Sequence, residues 1–372
     1  MRITHLETYP VRVPLRPERR MVSALGRHDV SDYVLVRLLT DAGIEGAGEA
    51  TVMPRWSGET IWGAAALIGH VFAPALIGCD PCDIADIDRR LDAVAVGNPF
   101  AKSAVEMACW DIRGRAAGKP LYELLGGAGR DLKFRCRFSL GAYLPERAAE
   151  LAAGRVADGF TFIKVKVGGS PRDDVARVRA VRAAIGSQVE LMVDANGGWD
   201  ADTALQALAG MADCQLCWVE QPTPREDYTG LAHVRRQCGL PILADESCFE
   251  LGHARELVAR GACDAITVYP GKNAGLNKSR AIVDFAAAHG IPCTIGSNLE
   301  LDVATAAMAH QVVASTNIAV ERLPGDVLGP AYHEFSVVKN PVAIDGPWVT
   351  APTGPGLGVD VDWQLVRRHA PA

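Results

Sequence analysis

The chain has 372 residues, with 49% hydrophobic and 22% charged residues, 37 glycines and 22 prolines, the composition of a globular protein large enough for two domain cores. A formal net charge of −6 argues against nucleic-acid binding, which needs a clustered excess of Lys and Arg. The short basic cluster Arg16, Arg19 and Arg20 reads as a solvated loop, or as a place where an anionic substrate could arrive. No apolar run approaches the length of a bilayer-spanning helix, so no membrane partner is expected. The segment Met1–Glu7 alternates like an edge strand and lacks a signal-peptide core, so a cytoplasmic location is expected.

The first hundred or so residues read as α+β. Val34–Leu39 is a predicted strand, Asp41–Gly43 a hairpin turn, and Ile44–Ala50 a glycine-spaced strand returning through it. Ser103–Gly114 carries apolar residues at helical intervals, and Leu124–Gly127 reads as a helix stop. From about Leu132 the rhythm becomes short β-rich runs alternating with helical patterns. The runs are 134–140, 162–167, 190–194, 216–220, 241–245, 265–269, 292–295 and 317–320. About eight such units favour a closed parallel α/β barrel over an open sheet, and no glycine-rich dinucleotide turn follows the first strand. Residues 1–128 are therefore assigned to an α+β N-terminal domain and 129–325 to the barrel. The irregular segment 326–372 is expected to pack back on the N-terminal domain.

Among the ten cysteines two pairs have C-x-x-C spacing, Cys79/Cys82 and Cys214/Cys217, which would suit a zinc or redox site. The first straddles a turn and Cys217 enters a predicted buried strand, so the cysteines are read as small apolar residues.

Three consecutive predicted strands end in an acidic residue: Asp194, Glu220 and Asp245. At strand ends roughly 5 Å apart, three carboxylates repel unless a cation neutralises them. An all-oxygen set selects a hard ion such as Mg²⁺. The competing reading, three separate helix N-caps, would not explain the succession. The preceding strand carries Lys164 and Lys166, which point to one side because side chains alternate. If that side is the barrel interior, burial beside a cation lowers their pKa and makes a lysine usable as a base. Otherwise they belong to a solvated edge strand. A carbon acid beside a carboxylate becomes acidic enough only if its enolate is stabilised, which a divalent cation provides.

With Gly46–Ala50, Ala104–Gly127, Lys164-Val165-Lys166, Asp194-Ala195-Asn196, Glu220-Gln221-Pro222, Asp245-Glu246-Ser247 and Pro355–Gly358, the sequence resembles the enolase superfamily. The similarity is to its muconate-lactonizing-enzyme subgroup, within the mandelate racemase/muconate lactonizing enzyme family. The resemblance implies a modified TIM barrel, (β/α)₇β, under an α+β cap, with Mg²⁺ on Asp194, Glu220 and Asp245. It also implies Lys166 as acid/base catalyst and Lys164 as its electrostatic support. The histidine of the mandelate-racemase subgroup is missing from Ile295–Glu300, and His289 precedes that strand.

The resemblance also implies a second lysine at the end of the sixth strand, where this chain has Tyr269, with Lys272 three residues on. Pro270-Gly271 could bend Lys272 inward. Tyr269 could donate a proton but is a poor base at an ordinary pKa of about 10. One competent base suits dehydration (for example of a small hydroxy acid or hydroxyproline) or cycloisomerisation. Racemisation or epimerisation of an amino acid or dipeptide is the alternative, using Lys272 or Tyr269 as the second group. A barrel that has lost catalysis and serves as a sensor or structural partner is a further alternative. Loops 19–29 and 51–59 are candidates to cover the mouth, with Trp56 there or in the core. Asn196, Glu246, Asn298 and Glu300 are candidates to meet substrate or to steady the residues that do. The expected partner is a small carboxylate, and a symmetric homo-oligomer is the default assembly.

Overall fold

The computed structural model describes residues 1–371. Near the N-terminus, strands Ile3–Pro14, Val30–Thr40 and Glu45–Val52 form an antiparallel sheet in that spatial order. The turn at 41–44 is closed by the Thr40 hydroxyl donating to the Ile44 carbonyl at 2.7 Å. Helix Pro99–Ala117 lies directly on the third strand. A Cβ at Gly48 would stand 1.8 Å from the Ala104 carbonyl oxygen, and one at Gly46 2.2 Å from that of Ala108. The glycine spacing in this strand therefore serves close backbone approach.

Seven parallel strands follow in sequential order: Phe138–Leu140, Phe162–Lys166, Glu190–Asp194, Leu216–Glu220, Ile242–Ala244, Ala265–Val268 and Cys293–Ile295. They are called here the first to seventh barrel strands. Helices alternate with them, from Pro145–Ala157 to Asp302–Ala314. Residues 317–326 close the ring through two isolated parallel bridges, Cys293 with Ile318 and Cys136 with Gly325. The fold is a modified TIM barrel beneath an α+β cap.

Three expected runs come out shorter by two residues or more. The run 134–140 splits, because Lys133–Arg135 pairs with Trp348–Thr350 while the Cys136 N–H donates to the Pro347 carbonyl, and only Phe138–Leu140 enters the barrel. The run 317–320 supplies a single bridge, since the N–H groups of Arg322 and Leu323 turn back to the Ala319 carbonyl and coil the chain. The run 241–245 keeps only Ile242–Ala244 as strand. In the C-terminal segment, Leu357 N–H donates to Asp111, and Trp363 lies 5.1 Å from the Tyr9 ring. No helix among the described residues is long and apolar enough to cross a membrane.

The two-residue period of the strands sorts the barrel interior into layers. Phe162, Met192, Trp218, Leu243, Ala265 and Leu323 form an apolar plug. Two residues further along the same strands stand Lys164, Asp194, Glu220, Asp245 and Thr267. The polar layer thus sits on a dry floor.

Candidate active site

In the strand ladder Lys166 pairs with Asp194 and Asp194 with Glu220, so the second, third and fourth strands present their polar ends side by side. The Lys164 ammonium bridges Asp194 Oδ2 and Glu220 Oε2, each at 3.1 Å. Lys166 Nζ lies 2.5 Å from Asp194 Oδ2. Glu220 also meets Arg137 Nη2 at 3.5 Å, and Asp245 receives Lys272 Nζ at 2.7 Å.

These pairings set the charges. Burial disfavours charge on Lys164, but Glu220 and Asp194 outweigh it and raise its pKa above the ordinary lysine value. The lowering expected from the sequence is that of a lysine beside a bound cation, whereas the carboxylates by themselves pull upward. Burial opposes ionisation of Asp194, yet Lys166 and Lys164 pull its pKa below the ordinary range. Glu220 is raised, by burial first and then by Asp194, against the pull of Lys164.

A cavity of about 80 Å³ lies above this layer. Lys164, Lys166, Glu220, Asp245 and Asn196 line it from below, and Tyr269, Ser297 and Asn298 from the side. Both loops expected to cover the mouth reach it, through Met21 to His28 and through Met53 to Trp56. Trp56 also packs as core does: its ring lies 5.8 Å from Tyr269, stacked, and 5.0 Å from Phe249. Its indole N–H donates to Glu246 Oε1 at 3.0 Å, the oxygen that also accepts from Asn196 Nδ2 at 2.9 Å. Burial, then Asp245 and Asp194, push the Glu246 pKa up to about 8.

The residues opposite Lys166 do not supply a free amine. The turn after the sixth strand does bring Lys272 inward, but its three N–H donors go to Asp245 Oδ1, the Asp245 carbonyl and the Thr267 carbonyl. Lys272 is fully buried and is not part of the cavity wall. Tyr269 is, with its pKa held well above the ordinary phenol value by burial and by Asp245, so it stays protonated. Glu300 accepts from Ser297 Oγ and the Asn298 N–H and so braces the loop. Asn298 faces the cavity while its side chain holds the Thr51 carbonyl of the cap.

Sequence reasoning missed Arg137, Ser139 and Asp326. Ser139 donates to Asp326 Oδ2 at 2.6 Å, both line the cavity, and Asp326 Oδ1 is buried without a partner. Strand parity could have found Ser139, on the first strand, and Arg137, two residues earlier and just before that strand begins. Asp326 follows the coiled closing segment, where no periodicity points.

Among the described residues no three His, Cys, Asp or Glu side chains stand as a preassembled metal cage. The lysine ammoniums are interleaved with the carboxylates instead. The donor set still fits Mg²⁺: it is all oxygen, it sits on neighbouring strand ends, and one ammonium already lodges between two of its members.

Two family models divide the chain between them. Residues 4–126 match the mandelate racemase / muconate lactonizing enzyme N-terminal domain, and residues 147–365 match the enolase C-terminal domain-like family. The chain belongs to the enolase superfamily, in its mandelate racemase/muconate lactonizing enzyme branch, and it is an enzyme of the lyase or isomerase kind. It is 31% identical over 363 residues to the N-succinyl-L-Arg/Lys racemase of Bacillus cereus, covering 97% of this chain and 96% of that one. The crystal structure of that racemase superposes with a TM-score of 0.95, at 29% identity, over 100% of this chain and 99% of the other. The dipeptide epimerase of Enterococcus faecalis, solved with Mg and L-Leu-L-Tyr, gives a TM-score of 0.91 at 33% identity, over 97% and 100% of the two chains. The cis-3-hydroxy-L-proline dehydratase of Roseibium aggregatum is 34% identical over 315 residues, 83% of each chain. Cycloisomerases are also among the relatives.

Proposed function

We propose that this enzyme removes the α-proton of a small carboxylate, with Lys166 as base, and completes a β-elimination or a cycloisomerisation. The observation that carries this reading is the asymmetry of the cavity. Lys166 stands on one side, and the other side is Tyr269 stacked on Trp56, with Lys272 tied down behind it. A 1,1-proton transfer needs a proton carrier on each face, whereas elimination can proceed from one.

Asp194, Glu220 and Asp245 would hold Mg²⁺, which supplies positive charge where the substrate carboxylate gains negative charge. The chain's own residues do the rest. Lys164 holds a fixed positive charge between Asp194 and Glu220, at the base of the cavity. Lys166, in its neutral form, takes the proton and can return it on the same face. Tyr269 and Trp56 close the opposite face to bulk water, which keeps the electrostatic contacts strong.

The alternative, racemisation or epimerisation, is favoured by the activities of the Bacillus cereus and Enterococcus faecalis relatives. Incubating candidate acids with enzyme and Mg²⁺ in deuterated water separates the two. Loss of water or ring closure supports the proposal, and inversion with deuterium uptake at the α-carbon overturns it in favour of the alternative.

A further inference from the structure

The proposed chemistry defines the reacting end of a substrate and leaves its far end open. That far end meets the cap. Here the charged and ring-nitrogen groups are already engaged, and the Ser23 hydroxyl, a neutral group, accepts from the Leu25 N–H at 3.2 Å. Arg55, the one lysine or arginine that the cap contributes to the cavity wall, donates from its two terminal nitrogens to the carbonyls of Leu25 at 2.6 Å and Arg27 at 2.7 Å. It fastens one cap loop to the other. His28 Nε2 is 2.7 Å from the Ser31 hydroxyl. Burial, then Arg55, lowers its pKa, so it is neutral at pH 7. The Trp56 N–H is held by Glu246, and no cap carboxylate lines the cavity among the described residues. Apart from Ser23 and Gly26, what remains towards the substrate is Met21, Leu25, Met53 and the Trp56 ring, joined by Leu299 from the seventh-strand loop.

A charged group placed against these side chains loses its hydration and finds no counter-charge among them, the unpartnered Asp326 Oδ1 standing beside Ser139 of the first barrel strand and not on the cap loops. An apolar group gains by leaving water. We infer that the substrate is a carboxylic acid with an α-hydrogen whose far end is uncharged and apolar, seated against Met21, Leu25, Met53 and Trp56. This inference rests on the α-proton reading above and adds the substrate class. It sets the chain apart from the N-succinyl-L-Arg/Lys racemase, whose substrates carry a basic side chain.

The test uses three N-acyl-L-alanines of equal length, with hexanoyl, 5-carboxypentanoyl and 6-aminohexanoyl tails. Binding to the full-length enzyme is measured calorimetrically with Mg²⁺, and α-proton exchange is followed in deuterated water. The hexanoyl compound is expected to bind at least about tenfold tighter than either charged one. Equal or tighter binding of a charged tail overturns the inference, as does binding of none of the three. Exchange of whichever compound binds is a separate readout. If the charged compound binds and exchanges, the α-proton reading survives while the inference falls. If the hexanoyl compound binds but never exchanges, it is the α-proton reading that fails, and the inference built on it falls too. A Leu25→Lys variant supplies a second arm: it should raise affinity for the carboxyl-tailed compound by about tenfold. An unchanged preference in a folded variant places the tail elsewhere and overturns the assignment.

Discussion

Lys164 and Lys166 are two residues apart and differ in what their amines face. Lys164 is shared between two buried carboxylates, whereas Lys166 has one, Asp194, and opens to the cavity. Replacing Lys166 with Met should leave substrate binding largely intact and lower α-proton exchange by roughly 10²–10⁴-fold, the usual worth of a general base. NMR of the α-proton signal in deuterated water measures it. Tyr269→Phe tests the other face: exchange should persist within about threefold if the tyrosine is a wall, since no proton is asked of it. A loss as large as that of Lys166→Met would make Tyr269 a proton carrier. At this scale the strand-end acids and the shared side of the two lysines were legible, because period-two alternation decides both. The fate of Lys272 was not. It depends on a tight turn in which the Asn273 and Gly275 N–H groups return to the Tyr269 and Pro270 carbonyls, with Ala274 at φ +60°. The upward pull on the Lys164 pKa from Glu220 and Asp194 was also hidden, since those carboxylates come from two other strands.

Among elements, the cap and barrel are joined by buried carboxylates set at the N-termini of helices. Glu49, on the third cap strand, accepts the N–H groups of Leu301 and Ala304 at the start of helix Asp302–Ala314. Glu106, in the long cap helix, does the same for Leu276 and Asn277 at the start of helix Leu276–Ala288. Each satisfies donors a helix start leaves unpaired. Glu49→Ala should therefore cost about 3 kcal/mol, the scale of two buried donors left without partners, read from urea unfolding. Gly48→Ala should destabilise through a different cause, backbone collision with Ala104, and should not be rescued by any change at Glu49. The alternation of strands and helices was legible in the sequence, and so was the hairpin at 41–44. The closing segment was not, because a single bridge between coiled residues leaves no periodic trace.

Across the whole molecule, these same carboxylates make stability depend on pH. Burial pushes Glu49 and Glu106 up to about 8 and Glu59 up to about 7, although backbone N–H groups pull the other way. The folded state thus keeps protons that the unfolded chain gives up near 4.5, so stability is lost as pH rises towards about 8. His310 and His333, lowered by burial to about 4, work in the opposite sense below 6.5, where the unfolded chain takes up protons first. Above 6.5 the opposition of the histidines fades and the raised carboxylates set the direction. The melting temperature should therefore fall from pH 6.5 to 8.5, and Glu49→Gln should flatten that slope, as differential scanning fluorimetry would report.

The arrangement that joins residue, element and barrel is a cluster of strand-end acids interleaved with lysine amines, above an apolar plug and beneath an apolar cap. Its most direct test is exchange of the α-proton of a bound carboxylate in deuterated water, run on the wild-type enzyme with Mg²⁺, after chelation, and with Glu220→Gln. The account predicts exchange only in the first case, with Mg²⁺ raising the melting temperature of the wild type and not of the variant. Exchange that persists undiminished after chelation or in Glu220→Gln would contradict it.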